Sequence, residues 1–459
     1  MLSDYFLASG RWDNTVIVID LKKAIDPAND ATENAVINRL RVTPDIETSG
    51  DGKAGEVTSG QPICVTIDQA KRRAYITNHS GKTSAAQCGS HENNYASTLP
   101  DSLLPGLSAS AQHGWPGSVT VINLDKALDC ANWGTLGAVE TIFDSMGYGP
   151  TGFAITPDGK YGVLNHAESK GCEDGGRYVN IFKLSDNSLV KKVELAYGRI
   201  PPPGFILPRA SPDERFGCFP CPNGLAISPL GGGTIFTSNG GTRDVSVISL
   251  TKALAGGNLS ASDAEIGRIP TQSGGFGIGV SPDGKYVAAT SREDPRDNSE
   301  GNTISIIKVE TALKDPSYAE INRILVGSNN PDQPARPFLS VFTPDGKNIV
   351  VTNFRTNNIS IIDAALASSG AKLQPRHIPL ETPDGGPSRP RGIAFSSDGI
   401  YMAISGAVPK LGPGTGVVWV LDTRDWTVKG RVTGIGNETY FIGGFTGPAH
   451  CGKRQNTLT

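Results

Sequence analysis

One short segment recurs along this chain with nearly the same residues each time. Residues 153–166 read FAITPDGKYGVLNH, residues 279–292 read GVSPDGKYVAATSR and residues 341–354 read VFTPDGKNIVVTNF. Weaker copies align at Asp68, Pro229 and Ser397, so the unit spans about 50 residues and carries insertions of variable length. The repeat therefore predicts one array of similar units, although 459 residues would otherwise suggest two or three domains.

Each unit carries the pattern of four antiparallel strands. The Pro-Asp-Gly turn joins two apolar runs, because proline fixes φ, aspartate bonds its own backbone and glycine accepts the positive φ that closes a hairpin. A third strand follows, such as DVSVISL from Asp244, then a helical turn such as SLTKAL from Ser249, then an outer strand. Four strands in this order predict a propeller blade. The alternative, a two-layer β-sandwich, does not require this order at this period.

The count of units predicts an all-β, seven-bladed β-propeller. Six complete units start near Gln61, Pro150, Pro222, Gly275, Pro337 and Pro390. Residues 5–20 supply only a second and a third strand, and TYFIGGFTG at residues 439–447 has the pattern of the missing inner strand. The N- and C-terminal strands should therefore share one blade and close the ring, which makes residues 1–459 a single domain without exposed sheet edges.

Composition and charge exclude some partners. The formal net charge is -3, so nothing favours nucleic acid or an anionic membrane surface. No run of about 18 apolar residues exists, so no transmembrane helix is expected. The N-terminus reads directly as a strand, which leaves two alternatives: a periplasmic or secreted protein whose signal peptide is absent from this sequence, or a cytoplasmic one. Cysteines in loop segments, Cys88, Cys130 and Cys172 among them, favour disulfides and an oxidising compartment.

The repeat resembles a known family at the segments SPDGKYVAAT and TPDGKNIVVTN. They are similar to the YVTN repeat of seven-bladed propellers, found in surface-layer modules, lactonase-like propellers, the haem-d domain of nitrite reductases and amine dehydrogenase heavy chains. The resemblance covers about six blades, from Gln61 to Val420, and it implies the fold. It leaves function open, because such propellers bind, scaffold or catalyse.

Two rings of variable residues should surround one mouth of the central channel. The first follows the second strand of each blade, and the second begins each inner strand. Imidazole, guanidinium and aromatic groups gathered there suit a small anionic or oxygen-rich ligand, because arginine can hold a carboxylate while histidine moves a proton near neutral pH. The predicted catalytic residues are His79, His166 and Arg292, and the predicted ligand-binding residues are Arg11, Trp115, Asn239, Phe276, Phe354, Arg355 and Arg391. No metal ligands are assigned.

The longest insertion, at about residues 80–117, is predicted to cover this mouth as a lid. It carries His91, His113 and Trp115. Pairing of Cys88 with Cys130 or Cys172 would fix the lid to the ring.

Three functions remain open. The resemblance implies either a lactonase-type or muconate-cyclising enzyme, with His79 or His166 as general acid and base, or a non-catalytic module that binds a ligand or a partner protein outside the cytoplasm. The third is a redox propeller with haem or copper on these histidines. Lactonase propellers often carry Pro-Arg-His at a strand start, whereas this chain has Pro390-Arg391-Gly392. No cofactor is predicted; copper, zinc, calcium or haem are the alternatives.

The metal alternatives are tested by elemental analysis and absorbance. We expect purified protein to contain no stoichiometric copper, iron or zinc and to lack a Soret band, because the spacing of these histidines matches no compact ligand motif. The protein with His79→Ala and His166→Ala together is the comparison. A metal or Soret signal that disappears in this double variant would overturn the expectation.

Overall fold

The computed structural model describes most of the chain. The described residues are 2–11, 13–44, 46–48, 56–58, 60–79, 116–168, 176–196, 220–294, 299–407, 415–436 and 438–449. They form an all-β ring of seven four-stranded antiparallel blades, which confirms the predicted propeller. Trp115 and nearly all of the predicted lid lie outside the described residues, as do Cys88 and Cys172, so the lid and the disulfide pairings stay predictions.

Each blade runs from an inner strand at the channel to an outer strand at the rim. We number the blades from the one that contains the N-terminus. From inner to outer, blade 1 contains Thr439–Pro448, Leu2–Gly10, Thr15–Asp20 and Val36–Arg41, and blade 2 contains Pro62–Asp68, Arg73–Asn78, Pro116–Asn123 and the first part of Val139–Ile155. Blade 3 contains the second part of Val139–Ile155, Tyr161–Glu168, Tyr178–Lys183 and Ser188–Glu194. Blade 4 contains Pro222–Ser228, Thr234–Asn239, Asp244–Ser249 and Glu265–Pro270.

The remaining blades follow the same order. Their strands are Ile278–Val280, Tyr286–Glu293, Glu300–Lys308 and Glu320–Leu325 in blade 5; Pro337–Phe342, Asn348–Asn353, Asn358–Asp363 and Arg376–Pro379 in blade 6; and Ile393–Phe395, Tyr401–Ala407, Gly416–Asp422 and Thr427–Val432 in blade 7. A separate hairpin pairs Ile46–Thr48 with Glu56–Thr58. Because Val139–Ile155 runs unbroken from blade 2 into blade 3, these two blades form one seven-stranded sheet.

The two ends of the chain close the ring as predicted. The strand Leu2–Gly10 pairs antiparallel with Thr439–Pro448, from Leu2 opposite Pro448 to Gly10 opposite Thr439. Blade 1 also packs against blade 7, where Phe6 and Ile17 share a buried apolar cluster with Val420. Burial of each such side chain contributes roughly 1.5–3 kcal/mol, so the contact between the first and last blades stabilises the whole ring.

The recurring turn has the same geometry in several blades. In blade 3 the Thr156 hydroxyl donates to the Asp158 carboxylate (2.6 Å), which also accepts from the backbone N–H of Lys160 (3.1 Å), and Gly159 has φ 68°. The turn at Asp283 in blade 5 repeats these bonds. Each turn thereby satisfies its own polar groups at the end of the ring opposite the predicted mouth, which explains why the chain repeats these residues.

Short helices join the third and fourth strands, as the sequence predicted. The α-helical turns are Leu21–Ala24, Leu124–Ala127, Leu250–Leu254, Val309–Ala312 and Ala364–Ser368. The 3-10 turns in these connections are Pro27–Asn29, Cys130–Asn132, Ser262–Ala264 and Pro316–Tyr318, whereas the 3-10 turn Leu230–Gly232 joins the first and second strands of blade 4. Among the described residues, none of the helices has the length and apolarity needed to span a bilayer.

A single methyl group can test the closure between blades 7 and 1. A Cβ added at Gly430, in the outer strand of blade 7, would lie 1.8 Å from the carbonyl oxygen of Ala24 in blade 1. We expect Gly430→Ala to lower the free energy of unfolding by about 1–3 kcal/mol or more, because such overpacking forces the backbones apart. Gly257→Ala is the matched control, since a Cβ there meets no atom within 4 Å. Urea unfolding that gave equal midpoints for both variants would contradict this account of the closure.

Candidate functional site

The two predicted rings of residues lie at the same end of the channel. In six blades, a residue at the end of the second strand or directly after it donates its backbone N–H to the carbonyl of a residue in the segment that leads into an inner strand. The pairs are Arg11 with Glu438 (3.3 Å), His79 with Gln61 (3.0 Å), Gly240 with Cys221 (3.0 Å), Arg292 with Gly274 (2.8 Å), Phe354 with Arg336 (3.2 Å) and Ala407 with Ser388 (3.2 Å). These bonds fix the mouth of the channel as a rigid frame.

Aromatic rings close the channel beneath this mouth. Phe338 lies 4.3 Å from Phe276 and 6.0 Å from Phe441 between ring centroids, and Phe276 stacks on Phe441 at 6.3 Å. Phe276 belongs to blade 5 and Phe441 to blade 1, so this contact crosses the channel. Phe354 and Tyr440 extend the cluster at 6.5 and 5.7 Å from Phe338. We call these five rings the aromatic floor.

Guanidinium groups lie on the aromatic floor. Arg292 is 4.9 Å from the centroid of Phe276, and Arg391 is 4.6 Å from that of Tyr440. Three arginines lie over Phe354, namely Arg336 at 5.2 Å, Arg391 at 5.3 Å and Arg389 at 5.6 Å. Arginine favours such faces because its planar cation is weakly hydrated and is attracted to the ring quadrupole.

Carboxylates neutralise only part of this charge. Glu438 accepts from Arg391 (2.6 Å), Glu293 pairs with Arg292 and Arg336 (3.1 and 2.5 Å), and Glu300 pairs with Arg336 and Arg355. Among the described residues, three glutamates thus accompany six arginines, Arg11, Arg292, Arg336, Arg355, Arg389 and Arg391, so this part of the mouth carries an excess of positive charge although the net charge of the chain is -3. This basic set, together with the aromatic floor, is the candidate site.

Three of these arginines, Arg292, Arg336 and Arg391, have a buried Nε donor without an acceptor among the described residues, and of these three Arg391 and Arg292 lie nearest to the aromatic floor. The side chain of Arg391 is only 3% exposed and that of Arg292 is 21% exposed. The Nε atoms of both have no hydrogen-bond partner among the described residues. Burial lowers the pKa of Arg292 below its ordinary value; Glu293 opposes this shift, whereas the positive charges of Arg336 and Arg391 add to it. An anion placed here would supply the missing acceptors and relieve this repulsion.

The backbone at the mouth adopts a conformation that usually favours glycine. Five non-glycine residues in the segments that lead into inner strands have positive φ: Gln61 (51°), Cys221 (48°), Arg336 (50°), Arg389 (43°) and Glu438 (57°). A left-handed residue with a Cβ costs roughly 1–2 kcal/mol, and such costs concentrate where function requires the side chain. At Arg336, Arg389 and Glu438 the side chains concerned belong to the candidate site.

Most of the predicted ligand-binding residues come together here. Arg11, Phe276, Phe354, Arg355 and Arg391 join Arg292 in the candidate site; Arg11 donates from Nη1 to the Tyr440 hydroxyl at 2.7 Å. His79 is buried beside Gln61, whose side chain lies 3.4 Å from Arg11 Nη2.

Two predicted residues bond within their own part of the ring instead. The Asn239 amide donates to Asp244 (2.6 Å) and Ser246 (2.8 Å), both in blade 4. His166 is fully buried in blade 3, where it pairs across the sheet with Pro150 and Tyr178 and packs against Gly147. The pKa of His166 falls to about 3, chiefly because burial disfavours the charged ring and secondly because Lys192 is close.

The sequence analysis missed Arg336, Arg389, Glu438 and Tyr440. Arg336 and Arg389 stand directly before Pro337 and Pro390, near which the sequence analysis starts the last two complete units. The signal was present, because the residue before each of these prolines occupies the same place in its blade. Among the described residues, no group of three or more His, Cys, Asp or Glu side chains is arranged to hold a metal ion, and His91 and His113 lie outside them.

Solved structures share this fold at low sequence identity. The periplasmic gluconolactonase PpgL of Pseudomonas aeruginosa is 16% identical, with a TM-score of 0.60, over 97% of this chain and 99% of that one. A Bacteroides fragilis protein provisionally named a 6-phosphogluconolactonase is 13% identical, with a TM-score of 0.55, over 96% and 97% of the two chains. A Desulfotomaculum acetoxidans protein of unknown function is 13% identical, with a TM-score of 0.53, over 95% and 99%. No family model and no curated protein matches the sequence.

The burial of His166 predicts an acid-sensitive fold. Below about pH 6.5 the unfolded chain protonates this imidazole while the folded chain does not, so stability falls as the pH drops toward 3. From pH 7 to pH 5 this residue should remove about 2 kcal/mol from the free energy of unfolding. His166→Gln should lose that part of the pH dependence in urea unfolding. His377→Gln is the control, because His377 is only partly buried and the lowering of its pKa comes from burial alone. Equal pH dependence in wild type and His166→Gln would contradict the assignment.

Proposed function

We propose that this protein is a lactonase-type hydrolase that binds a small, oxygen-rich substrate at the candidate site. The observation that carries the proposal is the excess of guanidinium groups over carboxylates on an aromatic floor that closes the channel. Half-buried donors that are held in place act more strongly on a bound anion than donors in water do, because the local dielectric is lower. The product of lactone hydrolysis is a carboxylate, which arginine binds through two parallel hydrogen bonds.

The reaction assigns a distinct task to the buried donors. Water adds to the carbonyl carbon of the lactone and gives a tetrahedral oxyanion; the ring C–O bond then breaks, and the released alkoxide takes up a proton. Arg292 and Arg391 would donate from Nε to the oxyanion, because both atoms are buried and lack protein acceptors among the described residues. The Tyr440 hydroxyl accepts from Arg11, so its own hydrogen remains available to a substrate oxygen.

We assign the removal of a proton from the attacking water to His79, the histidine at the mouth. His79 is linked to the candidate site through Gln61 and Arg11, whereas His166 is enclosed in blade 3. Gly392 stands where many lactonase propellers carry histidine, so this chain would use a different proton acceptor. The names of PpgL and of the Bacteroides fragilis protein support lactone chemistry on this fold. We place the protein outside the cytoplasm as part of the same proposal, in keeping with its loop cysteines.

The proposal predicts that activity depends on Arg292. In a panel of sugar and aliphatic lactones, Arg292→Met should lower kcat/KM by about 100-fold to 1,000-fold, mainly through kcat, because the oxyanion forms only after water adds. Arg292→Lys keeps a positive charge and checks that the fold survives. Arg323→Met, in an exposed ion pair on the outer strand of blade 5, is the control and should keep full activity.

Two results would count against this function. Turnover that is equal in wild type and Arg292→Met would remove the candidate site from the reaction. Binding of sugar acids without turnover of any lactone would make the protein a non-catalytic ligand-binding propeller instead.

A further inference from the structure

Arg389 has an unusual environment within the candidate site. Its guanidinium lies 5.6 Å from the centroid of Phe354 and is half-buried, yet it has no salt bridge and no side-chain hydrogen bond to a described residue. Its backbone N–H is held by the side chain of Asn357 at 3.1 Å, so the residue itself is fixed in place.

The surrounding charges make this position costly for a cation. Arg336, Arg355 and Arg391 are near neighbours of Arg389, and Glu300 and Glu438 already pair with these three. Burial, followed by the charges of Arg391 and Arg355, lowers the pKa of Arg389; Glu438 opposes this shift, and Arg336 adds a smaller lowering. A half-buried guanidinium without a counter-anion among other cations is destabilising unless an anion from outside neutralises it.

The backbone adds a second cost at the same residue. Arg389 has φ 43° directly before Pro390, a conformation in which glycine is favoured over any residue with a Cβ. Phe354 and Asn357 contact this residue, but no carboxylate among the described residues forms a salt bridge with its guanidinium.

We propose that Arg389 and Arg391 form a second anion subsite over Phe354, which makes the protein select ligands that carry two separate anionic groups. This inference rests on the proposed function, in which Arg292 and Arg391 bind the reacting carbonyl over Phe276 and Phe338. Phe338 and Phe354 stack with centroids 6.5 Å apart, and Arg391 lies over both rings. One ligand of sugar-acid size can therefore reach both subsites, with a carboxylate or a phosphate at Arg389.

Calorimetric titration with paired sugar acids tests the selectivity. Gluconate carries one carboxylate and glucarate carries two on the same carbon skeleton. We expect the wild-type protein to bind glucarate at least tenfold more tightly, because a charge-assisted hydrogen bond contributes enough for such a factor. Arg389→Gly should lower the affinity for glucarate more than the affinity for gluconate and so bring the two affinities together.

The variant is chosen so that misfolding cannot imitate the result. Glycine relieves the left-handed backbone at residue 389, so Arg389→Gly should be at least as stable as wild type. Asn187→Gly gives the same relief at φ 56°, in the hairpin at the opposite end of blade 3, and should leave all affinities unchanged.

Inorganic phosphate separates this inference from the proposed function. At matched ionic strength against chloride, phosphate should raise the melting temperature of wild type and of Asn187→Gly more than that of Arg389→Gly. Equal phosphate effects in all three proteins, or equal loss of gluconate and glucarate affinity in Arg389→Gly, would overturn the second subsite. Phosphate stabilisation that depends on Arg389, with no binding of either sugar acid and no lactone turnover, would reject the proposed function but keep the anion site at Arg389. Titration with 6-phosphogluconate, which carries both a phosphate and a carboxylate, then shows which group this site prefers.

Discussion

The pairing of the first and last strands of the chain is the constraint on which the rest of this structure depends. It joins Leu2–Gly10 to Thr439–Pro448 and turns an open row of blades into a ring. The same pairing places Arg11, from the end of the first strand, beside Tyr440, from the start of the last one. Phe441 then reaches across the channel to Phe276 of blade 5. The candidate site is thus assembled only when the ring closes, so folding of blade 1 and formation of the binding surface are one event.

Within the closed ring, electrostatics and backbone strain act at the same positions. The loops that lead into the inner strands hold Arg336, Arg389 and Glu438 in the left-handed region, and these side chains meet over Phe354 and beside Arg391. Cross-channel stacking of aromatic rings gives the arginines an apolar surface that excludes water and keeps their charge effective. The strain is tolerated because each loop is anchored by a backbone hydrogen bond to the neighbouring strand end.

The fold could be predicted from the sequence because its determinants are local. The Pro-Asp-Gly turns and the strand order recur in the sequence, and the inner-strand pattern that is missing at the N-terminus occurs near the C-terminus. Arg11, Arg292 and Arg391 could be predicted as site residues for the same reason, since each stands next to a strand end. His166 differs, because its strand does not stop at Asn165 but continues to Glu168 alongside the long strand Val139–Ile155. The place of Arg336 and Arg389 before a proline marks them as equivalent residues of two blades, but their positive φ could not be predicted, because a residue before proline usually adopts an extended conformation.

The balance of charge at the mouth explains how the candidate site can be stable and still have a positive charge that no described glutamate neutralises. Each of the three glutamates holds at least one arginine in place, and buried pairs such as Arg391 with Glu438 lose much when either partner is removed. If a glutamate also faced Arg389, the site would be neutral locally and would have little affinity for an anion. Arg389 has no such partner in the part of the chain that the structure describes, which lowers the stability of the free protein but increases the affinity for a bound anion. The ring can bear that cost because its stability comes from the apolar contacts between blades, which do not involve the mouth.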